Sequence, residues 1–139
     1  MNNYLFDEVC IGDTEQFLFF IDDVKMQKFR EITGDENPLH HDKDFALCHG
    51  FQDIVVYAQL TASALSTLAG MYLPGKQSII HTLDSAFLNP VYLSNSPLKV
   101  TGIVKEKDDR FRTITVKYEI FDSTSKKVCK GNMRIGFSE

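Results

Sequence analysis

The chain has 139 residues, enough for one domain with a substantial core, and its 43% hydrophobic and 24% charged content is that of a folded protein, not a disordered one. A formal net charge of -4, with no long basic run, argues against nucleic acid as a partner. Cys10, Cys48 and Cys129 are odd in number and widely spaced, which predicts reduced thiols in a cytoplasmic protein and excludes a disulfide frame.

The first residues, Met1 to Glu8, lack the basic and apolar regions of a signal peptide. Gln16 to Ile21 is rich in phenylalanine and predicts a strand. Asp22 or Asp23 then caps a short helix through Thr33, on which Met26, Phe29 and Ile32 recur at three-residue spacing and are expected to face the core. From Ile54 to Gly75 there is no charged residue, a stretch long enough to cross a bilayer. Gln59, Thr61, Ser63, Ser66 and Thr67 interrupt it, however, and Ala62, Ala64, Ala69 and Gly70 keep it slim. The expectation is a helix outside any membrane, from about Val56 to Leu73, buried on most sides and stopped by Pro74-Gly75.

Beyond Gly75 the period changes to two. His81, Leu83, Ser85 and Phe87 share one predicted strand face, and Leu98, Val100, Gly102 and Val104 share the next. Ile114, Val116, Tyr118 and Ile120 alternate with polar residues, as do Cys129, Met133, Ile135 and Phe137. Turn signals lie at Asn89-Pro90, Asn95 to Pro97, Asp108-Asp109 and Asp122 to Ser125. One buried helix followed by these strands makes an α+β protein with an antiparallel sheet, and periodicity alone does not choose the wrapping.

The segment between the two helices carries the chemistry. Gly34-Asp35-Glu36-Asn37-Pro38-Leu39-His40 sets an acid, an amide and an imidazole within six positions, on a backbone that proline keeps out of regular helix at Asn37. Gly34 suits the left-handed position that ends a helix. Asp35 and His40 are side-chain types suited to moving protons near neutral pH, and a tight loop can aim both at one point. Spacing alone leaves a plainer reading open, a turn in which Asp and Asn cap local backbone.

Phe29 to His40, followed by Ala46, resembles the signature of the MaoC-like, (R)-specific enoyl-CoA hydratases and dehydratases. Gly50-Phe51 and Phe87-Leu88-Asn89-Pro90-Val91 extend the likeness over most of the chain. The resemblance implies a single hot-dog domain over residues 1–139, a sheet curled around the long helix, and at least a homodimer. It implies that Asp35 and His40 are catalytic, with Asn37 as a supporting polar residue. It also implies a substrate carried on coenzyme A or phosphopantetheine, with no other cofactor. Hydration of a 2-enoyl thioester would place one water between Asp35 and His40; one residue accepts its proton and the pair supplies another to the α-carbon. The N-terminus of the long helix is the natural source of donors to the thioester oxygen. At that step many members carry His-Gly, whereas this chain has Tyr57-Ala58, so both residues are candidate substrate contacts.

Other constellations are weaker. His41, Asp42 and His49 lack a familiar ligand spacing, so no metal is expected. Cys48 is expected to be buried or idle and His81 to be a hydrogen-bonded core histidine. Lys105, Lys107, Arg110, Arg112, Lys126, Lys127, Lys130 and Arg134 form either a phosphate-binding rim or an ordinary solvated face. Two alternatives to the hydratase reading stand: a hot-dog dehydratase acting on a β-hydroxy carbonyl compound not linked to coenzyme A, and a non-catalytic ligand-binding protein.

Overall fold

The computed structural model describes residues 1–139. Strand β1 (Thr14–Phe19) leads into helix α1 (Asp23–Thr33), a 3-10 turn at Pro38–His40, helix α2 (Lys43–Cys48) and helix α3 (Ala58–Thr67). Strands β2 (Ser78–Leu83), β3 (Ala86–Phe87), β4 (Leu98–Asp108), β5 (Thr113–Phe121) and β6 (Lys127–Phe137) follow. The strands form one antiparallel sheet in the order β1-β4-β5-β6-β2, with β3 also paired to β6.

The two-residue period explains the long strands. Leu98, Val100 and Val104 of β4, Ile114, Val116, Tyr118 and Ile120 of β5, and Cys129, Met133 and Ile135 of β6 are all buried. They make one apolar sheet face, and α3 lies against it through Leu60, Thr61, Ala64 and Leu65. The helix continues as a π-type turn over Leu68–Tyr72 that buries Leu68 and Ala69. Gly102 permits this approach, since a Cβ there would stand 3.0 Å from a Leu68 methyl. The element is therefore helical over the predicted range, in the hot-dog arrangement of a sheet curled on a central helix. It is enclosed less fully than expected: Gln59, Ser63 and Ser66 leave an outer face open.

Two further expectations change. Met26 is buried and Phe29 packs against the core, but Ile32 is 82% exposed. Three residues fall short of a full helical turn, so by the second step the direction has drifted by about 120°. The strand predicted through His81, Leu83, Ser85 and Phe87 is broken in two at Asp84-Ser85, and within β2 the register with β6 shifts between Ile80 and Thr82. His81 sits at that irregularity, exposed, with its ring over Gly136, where an added Cβ would lie 2.6 Å from it; it is not a core histidine. The β2 edge and β3 leave Ile79, Ile80, Leu83 and Phe87 exposed. No helix is long and apolar enough to cross a membrane.

Candidate active site

The sequence places the loop after α1 by capping at both ends. The Asp22 side chain accepts from the Lys25 N–H at the start of α1, and Gly34 ends it with φ 71°, donating its N–H to the Arg30 carbonyl. From there local side-chain bonds hold the turn. Thr33 Oγ1 accepts from the Asp35 N–H at 3.2 Å, Asp35 Oδ1 accepts from the Asn37 N–H at 3.0 Å, and Asn37 Oδ1 accepts from the Leu39 N–H at 3.0 Å. Arg30 and Glu36 pair across the turn back to α1. The capping geometry uses only part of the carboxylate: one Asp35 oxygen braces the turn and the other is free of protein partners. Asn37 spends its carbonyl oxygen on capping the 3-10 turn.

His40 is half-buried and its orientation is set by backbone. Its Nδ1 lies 2.6 Å from the Val55 carbonyl oxygen, which can only accept, so Nδ1 carries the proton and Nε2 is the free ring nitrogen. Val55 is fixed in turn, with its N–H on the Leu39 carbonyl and a bridge to Tyr92.

Tyr57 ties these parts together. It is 3% exposed, and its ring stacks on His40 with centroids 3.9 Å apart and packs at 4.9 Å against Phe29. Its hydroxyl donates to the Asp35 carbonyl at 2.9 Å. Burial, assisted by the Asp35 charge, pushes the Tyr57 phenol upward and keeps it a proton donor. Tyr57 is also the N-cap of α3, without a side-chain cap bond, and the Ala58 and Gln59 N–H groups find no acceptor in the chain. They are the free donors expected of a helix start.

Phe29, Thr33, Asp35, His40, Tyr57, Ala58 and Gln59 line one cleft of about 340 Å³. Asp35, His40, Tyr57 and Ala58 are therefore brought together; Asn37 stands in the adjoining turn and does not line the cleft. Sequence reasoning missed the Val55 carbonyl, a backbone group with no sequence signature, and Phe29 and Gln59, which line the wall. The His40 and Tyr57 rings also border a second depression of about 330 Å³ on the Arg30 and Glu36 side.

The remaining polar groups are engaged elsewhere. Asp42 caps α2 through the Phe45 N–H, His41 Nε2 meets the Glu36 carbonyl, and His49 meets the Phe45 carbonyl and stacks on that ring. No group of three His, Cys, Asp or Glu side chains converges as metal ligands would. Lys107 donates to the Val9 carbonyl, Arg112 pairs with Asp7 and Glu139, and Lys127 pairs with Glu119, while Lys105, Lys107 and Arg134 line one depression that shares no residue with the cleft.

Known proteins are similar to this chain in sequence and in fold. An (R)-specific enoyl-CoA hydratase of Aeromonas caviae is 35% identical over 82 residues, covering 57% of this chain and 61% of that enzyme. A 3-hydroxybutyryl-CoA dehydratase of Methylorubrum extorquens is 30% identical over 90 residues, covering 65% of this chain and 57% of its own length. The chain thus spans less than two thirds of either relative. The solved structure of an unliganded R-hydratase from Pseudomonas aeruginosa superposes with a TM-score of 0.91 at 26% identity, covering 99% of this chain and 87% of that one. The family model described as a MaoC-like domain matches residues 15–124, a range that holds the capped loop, the whole of α3 and the strands β2 to β5, and the chain belongs to that family.

Proposed function

We propose that the protein is a hydro-lyase interconverting 2-enoyl and (R)-3-hydroxyacyl thioesters carried on coenzyme A or phosphopantetheine. The observation that carries this reading is the cleft in which Asp35, His40 and the free N–H of Ala58 meet. In hydration, a water held between the free Asp35 oxygen and His40 Nε2 loses a proton as its oxygen bonds to the β-carbon. The π-electrons of the double bond move onto the thioester oxygen, where the Ala58 N–H and the start of α3 stabilise the charge. The α-carbon then takes a proton from the Asp35–His40 pair, and the oxyanion collapses back to the thioester. Dehydration runs the same steps in reverse.

The N–H donors and the acid–base pair act together only if loop and helix keep their spacing, and the Tyr57 hydroxyl fixes that spacing. The reaction as written needs no metal or redox group. The exposed apolar residues of β2 and β3 favour a homodimer joined through that edge. The test is to supply crotonyl-CoA, follow the loss of enoyl absorbance and determine the product's chirality. Absence of turnover on enoyl thioesters of several lengths and both carriers would refute the reading.

A further inference from the structure

Thr33 closes α1 and lines the cleft, yet the reaction as written gives it no part. A threonine inside a helix can donate its hydroxyl proton to the carbonyl four residues back, and Thr33 does so, to Phe29 at 2.8 Å. A hydroxyl has one proton, so Oγ1 is left to act as an acceptor, and it accepts from the Asp35 N–H at 3.2 Å. Phe29 is itself fixed, by its place in α1 and by its ring against Tyr57 at 4.9 Å.

Asp35 is thereby held at three points from three parts of the chain. Its N–H is held by α1 through Thr33, its carbonyl by the start of α3 through the Tyr57 hydroxyl at 2.9 Å, and its Oδ1 by the Asn37 N–H of its own turn at 3.0 Å. The second carboxylate oxygen is the one polar atom of the residue left without a partner in the chain. An exposed aspartate otherwise moves among rotamers, so the direction of that oxygen depends on these three bonds. We propose that Thr33 is a positioning residue: its hydroxyl, anchored on the Phe29 carbonyl, holds the Asp35 backbone so that the free oxygen meets the water opposite His40. The inference rests on the hydration reading above for the use of that oxygen. Its mark is an unequal effect on stability and rate. Thr33 and Asp35 are exposed, so water replaces the bond when it is lost and stability changes little. A reacting group displaced by about 1 Å, in contrast, loses on the order of 100-fold in rate.

The experiment compares the unaltered protein with Thr33→Val, which keeps the shape and removes the hydroxyl, and Thr33→Ser, which keeps the hydroxyl and removes the methyl. Amide hydrogen exchange at Asp35 and Asn37 is followed by NMR without substrate, and kcat and KM are measured on crotonyl-CoA. Thr33→Val should speed exchange about fivefold at both amides. Asp35 loses its acceptor, and Asn37 donates to a carboxylate that is no longer held. The same variant should lower kcat about tenfold and leave KM nearly unchanged. Thr33→Ser should keep the protection of both amides and most of the rate. Four results each overturn the proposal: exchange quickened at Asp35 alone, an unchanged kcat in Thr33→Val, a raised KM in place of a lowered kcat, or a Thr33→Ser as slow as Thr33→Val. Turnover by the unaltered protein with Asn37 exchange unchanged in Thr33→Val refutes the positioning and leaves the reaction standing. Both amides loosened in Thr33→Val, with no turnover by the unaltered protein on any enoyl thioester, refutes the reaction and supports the hold of Thr33 on Asp35.

Discussion

Replacing Tyr57 by Phe removes one oxygen and keeps the ring. The lost bond is the 2.9 Å donation to the Asp35 carbonyl, while the stacking on His40 at 3.9 Å and the packing on Phe29 at 4.9 Å remain. A hydrogen bond of this kind contributes about 0.5–1.5 kcal/mol net. Asp35 is exposed, so water can take up its freed carbonyl, and the cost should be about 1 kcal/mol. For a chain of this size that lowers the Tm by about 3–5 °C. The effect on rate should exceed the effect on stability. The bond joins the loop bearing Asp35 to the residue that starts α3, and a displacement of about 1 Å between reacting groups costs on the order of 100-fold in rate. A partial loosening should lower kcat about tenfold and leave KM nearly unchanged. The assay is enoyl-CoA hydration at saturating substrate, with thermal unfolding of the same samples. Unchanged kcat with the expected fall in Tm would refute the coupling of loop to helix. A raised KM with unchanged kcat would instead make Tyr57 a direct substrate contact.

Asp35→Asn and His40→Ala should each lower turnover by about 100- to 10,000-fold while the circular dichroism spectrum stays intact, and the double variant should be little worse than either, because both groups act on one water. Gly131→Ala should strongly destabilise the protein, since its Cβ would lie 2.1 Å from the Asp84 carbonyl oxygen and 2.7 Å from the Tyr118 hydroxyl; a chemical melt with an unchanged midpoint would refute this. Asp122 is the acid-sensitive turn residue: burial opposes its ionisation, but hydrogen bonds from the Thr124 hydroxyl and the Lys126 and Thr124 N–H groups outweigh it and hold the carboxyl below its usual range. Its stabilising contribution is thus complete above the ordinary carboxylate range and is lost as pH falls through the lowered value, so Asp122→Ala should flatten the acid limb of the stability curve. Ile80→Asp on the β2 edge should shift light scattering from the dimer toward the 15.8 kDa species; a monomeric unaltered protein at micromolar concentration would refute the edge pairing.

The parts of the fold legible in the sequence are those whose burial follows one period. β4, β5 and β6 pack one face on α3 and leave the other to solvent, so alternation at Leu98 to Val104 or Ile114 to Ile120 carries the assignment. Where exposure is two-sided the signal fails: β2 is exposed along nearly its whole length and its register breaks near His81, which periodicity cannot register. Helix α2 buries only Ala46, too little for an apolar stripe, although Asp42 followed by Asp44 was a usable start signal. The loop was found through its residue types, but its geometry depends on contacts remote in sequence. Nothing near Asp35 indicates that Tyr57, 22 residues on, holds its carbonyl, nor that Val55 orients the ring of His40.

The stacking of Tyr57 on His40 has a use in observation. The chain contains five tyrosines and no tryptophan, so tyrosine emission is not masked. A ring 3.9 Å from an imidazole senses that imidazole's charge, and an imidazolium quenches the phenol beside it. The difference in emission between the unaltered protein and Tyr57→Phe therefore isolates one fluorophore in van der Waals contact with the proposed acid–base group. Titrating that difference reports the protonation of His40 in the resting protein, optically and without any substrate.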